Sequence, residues 1–266
     1  GSDQQADALC IVADQTACIN VRLIGYQDTL LTDTRTKDEN GNYAVTRQYF
    51  NKCYITGNVD FIYGAGTSVF EDCDIVARYT EYKSDGCYTA GRTYASTPYG
   101  YVFNNCRFLA EEGVADGAYR MARPWGADDS TTFMNCYLGR AISLETSYGD
   151  MSGNLAENAR FAEYGSYGPG YTVNNKRPYL TSAQAAKFKT DTVMGDYDYS
   201  ARTATLYGTQ QEKPKTDITV VDKAEVVKNV AVDENAVIKN AAGETVSPGE
   251  VSVVIEKAGN SVIDSI

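Results

Sequence analysis

Phe50-Asn51-Lys52-Cys53-Tyr54-Ile55 returns three times further along the chain. The later copies are Phe70-Glu71-Asp72-Cys73-Asp74-Ile75, Phe103-Asn104-Asn105-Cys106-Arg107-Phe108 and Phe133-Met134-Asn135-Cys136-Tyr137-Leu138. Each copy sets Phe, Cys and a large apolar residue in one frame, while the cysteines step by 20, 33 and 30 residues. A strand held in frame while its spacing varies suits a solenoid: every coil contributes the same strand, and loops of different length leave between coils. Alternate residues of each copy would then line one continuous interior. The pattern predicts an all-β chain folded as a parallel β-helix. A β-sandwich of short strands is the alternative that it leaves open.

Residues 8–12, 17–24, 45–55, 68–76, 101–109 and 131–138 read as strands, rich in β-branched and aromatic residues and punctuated by Gly, Asn and Asp. No segment holds a helical period before about residue 182, where 182–190 reads as a short helix with Ser182 as its N-cap. Residues 33–44 carry Asn40-Gly41 and read as a hairpin tip on the surface, at the rim of any cleft there. Beyond Tyr207 there is no aromatic residue and no cysteine. The expected division is a solenoid over 1–205, a linker over 206–217 around Pro214, and a small β-rich appendage over 218–266 with a thin core.

Composition narrows the function. The chain has 266 residues, a net charge of −11 and a pI near 4.6, which argues against a nucleic-acid partner. A cleft for acidic sugars would need local cations; Arg78, Lys83, Arg92, Arg107, Arg120 and Arg123 lie in the middle of the chain, and all but Arg123 read as solvated surface groups. No run reaches membrane-spanning length, so no membrane span is expected. The absence of histidine excludes Ser-His-Asp and Cys-His catalysis in this chain. The seven cysteines form no CxxC pair and read as small core residues, with a Cys10–Cys18 bridge left open should their strands run antiparallel. Acid–base chemistry must then rest on carboxylates, Lys, Tyr or Cys.

One carboxylate is out of place. In Gly57-Asn58-Val59-Asp60-Phe61-Ile62-Tyr63-Gly64, Asp60 interrupts an apolar strand-like run. Burying it ionised costs several kcal/mol unless it is paired. Chemistry and a structural salt bridge both account for such a residue.

Upstream lie Gln5-Ala6-Asp7-Ala8-Leu9 and Gln27-Asp28-Thr29-Leu30; downstream lies Ala122-Arg123-Pro124-Trp125. Two glutamines, two aspartates, an arginine and a tryptophan, in this order and context, resemble the pectin methylesterase family from about residue 1 to residue 199. The resemblance implies a right-handed β-helix and hydrolysis of galacturonate methyl esters in pectin, without metal or organic cofactor. The enzyme is expected to act as a monomer outside the cytoplasm. It also implies coils before Gln5, so the chain is expected to be a piece of a longer polypeptide.

The resemblance further implies roles. Asp60 would be the nucleophile, Asp28 the general acid and base, Arg123 the group that orients Asp60, and Gln5 and Gln27 the oxyanion donors. Trp125, Phe61 and Tyr63 would wall the substrate site. Each residue keeps a plainer reading: Asp28 as a turn residue, the glutamines as a coil-edge ladder, Trp125 as core. Tyr148 and Met151 depart from the family, which commonly has tryptophan there, so sugar stacking at that end is in doubt. A polygalacturonase, a calcium-dependent pectate lyase and an inactive sugar-binding solenoid are the competing functions.

Overall fold

Each repeat turns a corner. In the computed structural model, which describes residues 5–82, 86–207, 238–239 and 245–246, the third residue of every copy lies in the left-handed region. Lys52, Asp72, Asn105 and Asn135 have φ of 53°, 54°, 52° and 53°, and Asn20, one coil earlier, has 57°. Asn and Asp tolerate this conformation because their short polar side chains bond locally. The strands expected over 17–24, 45–55, 68–76, 101–109 and 131–138 are therefore each two strands meeting at a bend.

The first coil comprises β1 (Leu9–Ile11), β2 (Thr16–Ile19) and β3 (Arg22–Ile24), and the second β4 (Leu30–Thr32), β5 (Arg47–Asn51) and β6 (Tyr54–Gly57). The third comprises β7 (Val59–Gly64), β8 (Thr67–Glu71) and β9 (Asp74–Ala77), and the fourth β10 (Gly86–Gly91), β11 (Tyr101–Asn104) and β12 (Arg107–Ala110). The fifth has β13 (Tyr119–Ala122), β14 (Thr131–Met134) and β15 (Tyr137–Leu138), after which β16 (Ala162–Tyr164) extends one face. Like strands stack in three parallel sheets: β1-β4-β7-β10-β13, β2-β5-β8-β11-β14-β16 and β3-β6-β9-β12-β15. The chain is a right-handed parallel β-helix of about five turns.

The repeat frame is the interior. Phe50, Phe70, Phe103 and Phe133 stack in register, with centroids 4.7, 4.6 and 5.4 Å apart and planes within 13° of parallel. Such stacks add about 0.5–1.5 kcal/mol per pair beyond area burial. Cys53, Cys73, Cys106 and Cys136 form a second ladder, fully buried, whose thiols donate to backbone carbonyls one coil back. Burial pushes the Cys136 thiol up to about 12, against backbone donors that lower it. These thiols are packing groups, as expected. All seven cysteines are free, and Cys10 and Cys18 lie in different parallel sheets, which removes the suggested bridge.

The outer face of the second sheet is apolar and covered. Ile19, Tyr49, Val69, Val102 and Met134 pack against Ala185, Val193, Met194 and Tyr197 of the helical tail. That tail is α1 (Ser182–Ala185), a 3₁₀ turn (Ala186–Phe188), α2 (Thr190–Met194) and α3 (Tyr199–Tyr207). The N-cap is Thr181 rather than Ser182: its hydroxyl accepts from the Gln184 N–H, and the Gln184 side chain accepts from the Thr181 N–H. Reciprocal pairing with Gln at the third helical position favours Thr181 over its neighbour. Thr181→Ala is expected to lower unfolding stability by about 1 kcal/mol, read as a reduced urea midpoint at unchanged slope.

α3 continues through the division expected at 205/206. The rest of the expected linker lies outside the described residues. So does most of the appendage, where Ile238–Lys239 and Thr245–Val246 pair antiparallel. Among the described residues no helix is long and apolar enough to cross a membrane.

Candidate active site

With the second sheet capped by helices, the first sheet presents the polar outer face. Its chemistry begins at an irregularity in β7. Cys87 of β10 pairs with Val59, but Thr89 pairs with Ile62, so Asp60 and Phe61 of β7 stand against Tyr88 alone of β10. This is a β-bulge, the device by which a strand re-aims a side chain. Asp60 sits in it with φ of 51°. Phe61 drops into the core, fully buried and 5.5 Å from the Tyr88 ring. The expected role of Phe61 as a wall of the substrate site is therefore corrected: it is a core residue beneath the site.

The motif's glycines make the bulge possible. A Cβ on Gly57 would lie 2.2 Å from the Phe61 Cβ. One on Gly64, whose φ is 116°, would lie 2.1 Å from the Thr32 carbonyl oxygen. Both positions need a residue without a side chain.

Asp28 occupies the matching place one coil earlier. Leu30 pairs with Ile62 and Leu31 with Tyr63, and the Asp28 N–H donates to the Val59 carbonyl at 3.1 Å. Its φ is 62°. Two aspartates with the same left-handed backbone are thus brought to one edge of the first sheet. Asp60 is buried and Asp28 half-buried.

Arg123 closes the cluster from two coils away. It follows β13, and its N–H is fixed to the Thr89 carbonyl at 3.1 Å. Its Nε donates to Asp60 Oδ1 and its Nη2 to Asp60 Oδ2, both at 2.6 Å. This fork is the strong, planar form of a charge-assisted pair. It fixes the carboxylate plane while using about one of the two lone pairs on each oxygen. The Asp60 side chain is 6% exposed and that of Arg123 28%. The pair thus opens to solvent on the arginine side.

The other expected residues are ranged around this pair. Gln27 precedes Asp28 and is half-buried; Gln5 is exposed one coil earlier, where the Ala6 N–H donates to the Gln27 carbonyl at 3.3 Å. The Tyr63 hydroxyl donates to Asp7 Oδ1 at 2.7 Å, and its ring centroid is 6.0 Å from that of Trp125. Burial beside the Asp7 carboxylate holds the Tyr63 phenol well above its usual range. Trp125 is 36% exposed, a surface residue and not core. Tyr148 is no open platform: it stacks on Phe161 and donates to Glu163.

The structure adds residues that the sequence reading passed over. The Arg92 guanidinium centre lies 4.4 Å from the centroid of the Trp125 ring, and its Nη2 donates to Asp33. Asn154 Nδ2 donates to the carbonyls of Pro124 at 3.2 Å and Trp125 at 2.9 Å. Asp129 is fully buried against Gly91, and burial pushes its carboxyl up to about 7 despite a hydrogen bond from the Thr131 hydroxyl. Arg92 stood among the central cations, but nothing in its spacing set it apart. Arg107 is tied to Asp74 on another face, and Arg78 lies over the Tyr26 ring at 4.2 Å. Lys83 lies outside the described residues.

A family model described as Pectinesterase matches residues 1–196. Among curated proteins, Pectinesterase A of Dickeya dadantii is 37% identical over 224 residues, an alignment covering 73% of this chain and 58% of that protein. A pectin methylesterase solved in complex with a hexasaccharide is similar with a TM-score of 0.62 and 34% identity, over 73% of this chain and 62% of that one. The pectin methylesterase of Yersinia enterocolitica gives a TM-score of 0.63 at 30% identity, over 74% and 66%. The chain thus spans 58% of the length of that curated relative.

Proposed function

The chain belongs to the pectinesterase family, and from that premise we propose that it hydrolyses the methyl esters of galacturonate in pectin, releasing methanol and leaving pectate. The observation that carries the proposal is the forked Arg123–Asp60 pair with Asp28 stacked one coil before it. A relative of this family has been solved with a hexasaccharide bound, which supports a polysaccharide as the substrate class. A polymer of that size is met outside the cytoplasm, and we place the activity there.

In the proposed reaction, an Asp60 oxygen attacks the ester carbonyl carbon. The carbonyl electrons move onto its oxygen, where the side-chain N–H groups of Gln27 and Gln5 would receive the negative charge. As the intermediate collapses, the bond to the methoxyl oxygen breaks. Asp28, protonated at this stage, gives that oxygen its proton and methanol leaves. Galacturonate and Asp60 are now joined as a mixed anhydride. Asp28 takes a proton from water, and the water's oxygen attacks the galacturonyl carbon. The bond from that carbon to the Asp60 oxygen then breaks, Asp60 leaves as a carboxylate and returns to the Arg123 fork, and the product acid loses its proton to solvent as galacturonate. Trp125 and Tyr63 would offer the sugar its apolar and hydrogen-bonding surfaces.

This reading separates from its rivals by product. Incubation with highly methylated pectin is expected to release methanol without new reducing ends and without unsaturated uronate. New reducing ends would mean chain hydrolysis, unsaturated ends a lyase, and binding without methanol an inactive sugar-binding solenoid; any of the three would overturn it.

A further inference from the structure

The hairpin over 33–44 is tied to the site through one arginine. Asp33, at the hairpin's base, has a side chain only 8% exposed and pairs with Arg92. Arg92 places its guanidinium centre over the Trp125 ring, 4.4 Å from the centroid. Its backbone is pinned on both sides: its N–H donates to Gly64 at the end of β7, and a Cβ on Gly126 would lie 2.8 Å from the Arg92 Cα. The backbone carrying Trp125 therefore rests directly against Arg92. The hairpin is held to the Arg92 segment a second time, where the Tyr43 and Tyr94 rings stack 4.2 Å apart at 8°. Lys37 covers the Tyr43 ring at 4.5 Å.

We propose that Asp33 and Arg92 form a positioning latch through which the 33–44 hairpin fixes Trp125 as the sugar-contacting platform of the site. This rests on the proposed function for the role of Trp125, but not for the latch itself. The guanidinium fits because it is planar and can lie on an aromatic face while an edge donates to a carboxylate. Lys could supply the charge but not the ring contact and the Nη2 hydrogen bond together. Neither Asp33 nor Arg92 is assigned contact with the reacting atoms. Loss of the latch should therefore weaken substrate binding and leave the chemical step alone.

Trp125 is the only tryptophan in the chain, so its emission reports on the latch without any assay of catalysis. Three variants are needed: Arg92→Gln, Asp33→Asn and the double variant, with Arg92→Lys as the conservative control. Far-UV circular dichroism establishes that each is folded. Breaking the latch is expected to raise acrylamide quenching of Trp125 by about twofold, with a shifted emission maximum. KM for methylated pectin should rise by about tenfold in either single variant while kcat stays within about twofold. The double variant should be no worse than the singles, because both remove one interaction, and Arg92→Lys should recover part of the KM.

Unchanged quenching in the folded single variants would overturn the proposal. So would additive effects in the double variant, or a fall in kcat at constant KM. If the parent protein released no methanol, the proposed function would fail, and the quenching measurements would still decide whether the latch exists.

Discussion

Asp60→Asn is expected to abolish methanol release, by about a thousandfold or more in kcat. The substitution keeps the shape of the side chain, and Asn accepts a left-handed backbone as Asp does, so the bulge in β7 should persist. What is lost is the charged oxygen that attacks the ester in the proposed reaction. The amide also breaks the match to Arg123: one of its two ends is a donor, and it would face an arginine N–H that now donates to a carboxylate oxygen at 2.6 Å. The expected result is a folded, pectin-binding, inactive protein with a lowered melting temperature, because the buried match to Arg123 is broken on one side. Activity within about tenfold of the parent would mean that Asp60 is not the nucleophile and that its pairing with Arg123 is structural.

The second large effect is on stability. Glu163 and Arg177 are an ion pair with side-chain exposures of 0% and 1%. Arg177 Nε donates to Glu163 Oε1 at 2.7 Å, and its Nη1 donates to Ser147 Oγ at 3.2 Å and to the Gly170 carbonyl at 3.0 Å. Tyr148 donates to the same Glu163 Oε1 at 2.8 Å. Arg177→Ala would strand a buried carboxylate, with the Tyr148 hydroxyl as its remaining donor from this cluster. Breaking a buried pair on one side costs about 3–5 kcal/mol. For a folded unit of about this size the loss corresponds to roughly 6–20 °C in melting temperature. Replacing both partners with Leu and Met should recover much of the loss, because the desolvation cost disappears with the charges. Thermal unfolding followed by circular dichroism measures both variants. A shift below about 2 °C for Arg177→Ala would show that the site admits water and that the pair is dispensable.

The interior of the solenoid was legible in the sequence because it repeats. Phe and Cys recur in frame, and those positions are the two buried ladders. The corners were written in the same frames, at Lys52, Asp72, Asn105 and Asn135, but apolar residues on both sides made each pair of strands read as one. The first sheet was harder to see. Its strands carry Asp60, Thr89, Arg120 and several glycines, so β7, β10 and β13 show no clean alternation, and β4 is only three residues long. Asp28, Asp60 and Arg123 were found through their motif contexts and the family resemblance, since positions 32 and 63 residues apart share no local signal. The bulge explains why the neighbours Phe61 and Ile62 both pack into the core, which strict alternation does not give. Asp33 and Arg92 meet between hairpin and coil, and Asn154 meets the Pro124-Trp125 backbone from a later loop; such contacts leave no periodic trace.

The central claim is that the ester is opened by Asp60 and passes through an anhydride. Turnover on methylated pectin in the presence of hydroxylamine tests it most directly. An anhydride should be intercepted at either of its carbonyls, giving a galacturonyl hydroxamate or a hydroxamate on Asp60, both detectable by mass spectrometry. The account predicts one of these products above the enzyme-free level, and neither in Asp60→Asn. Steady methanol release with no hydroxamate on either partner would contradict it, because water would then be attacking the ester without a covalent intermediate.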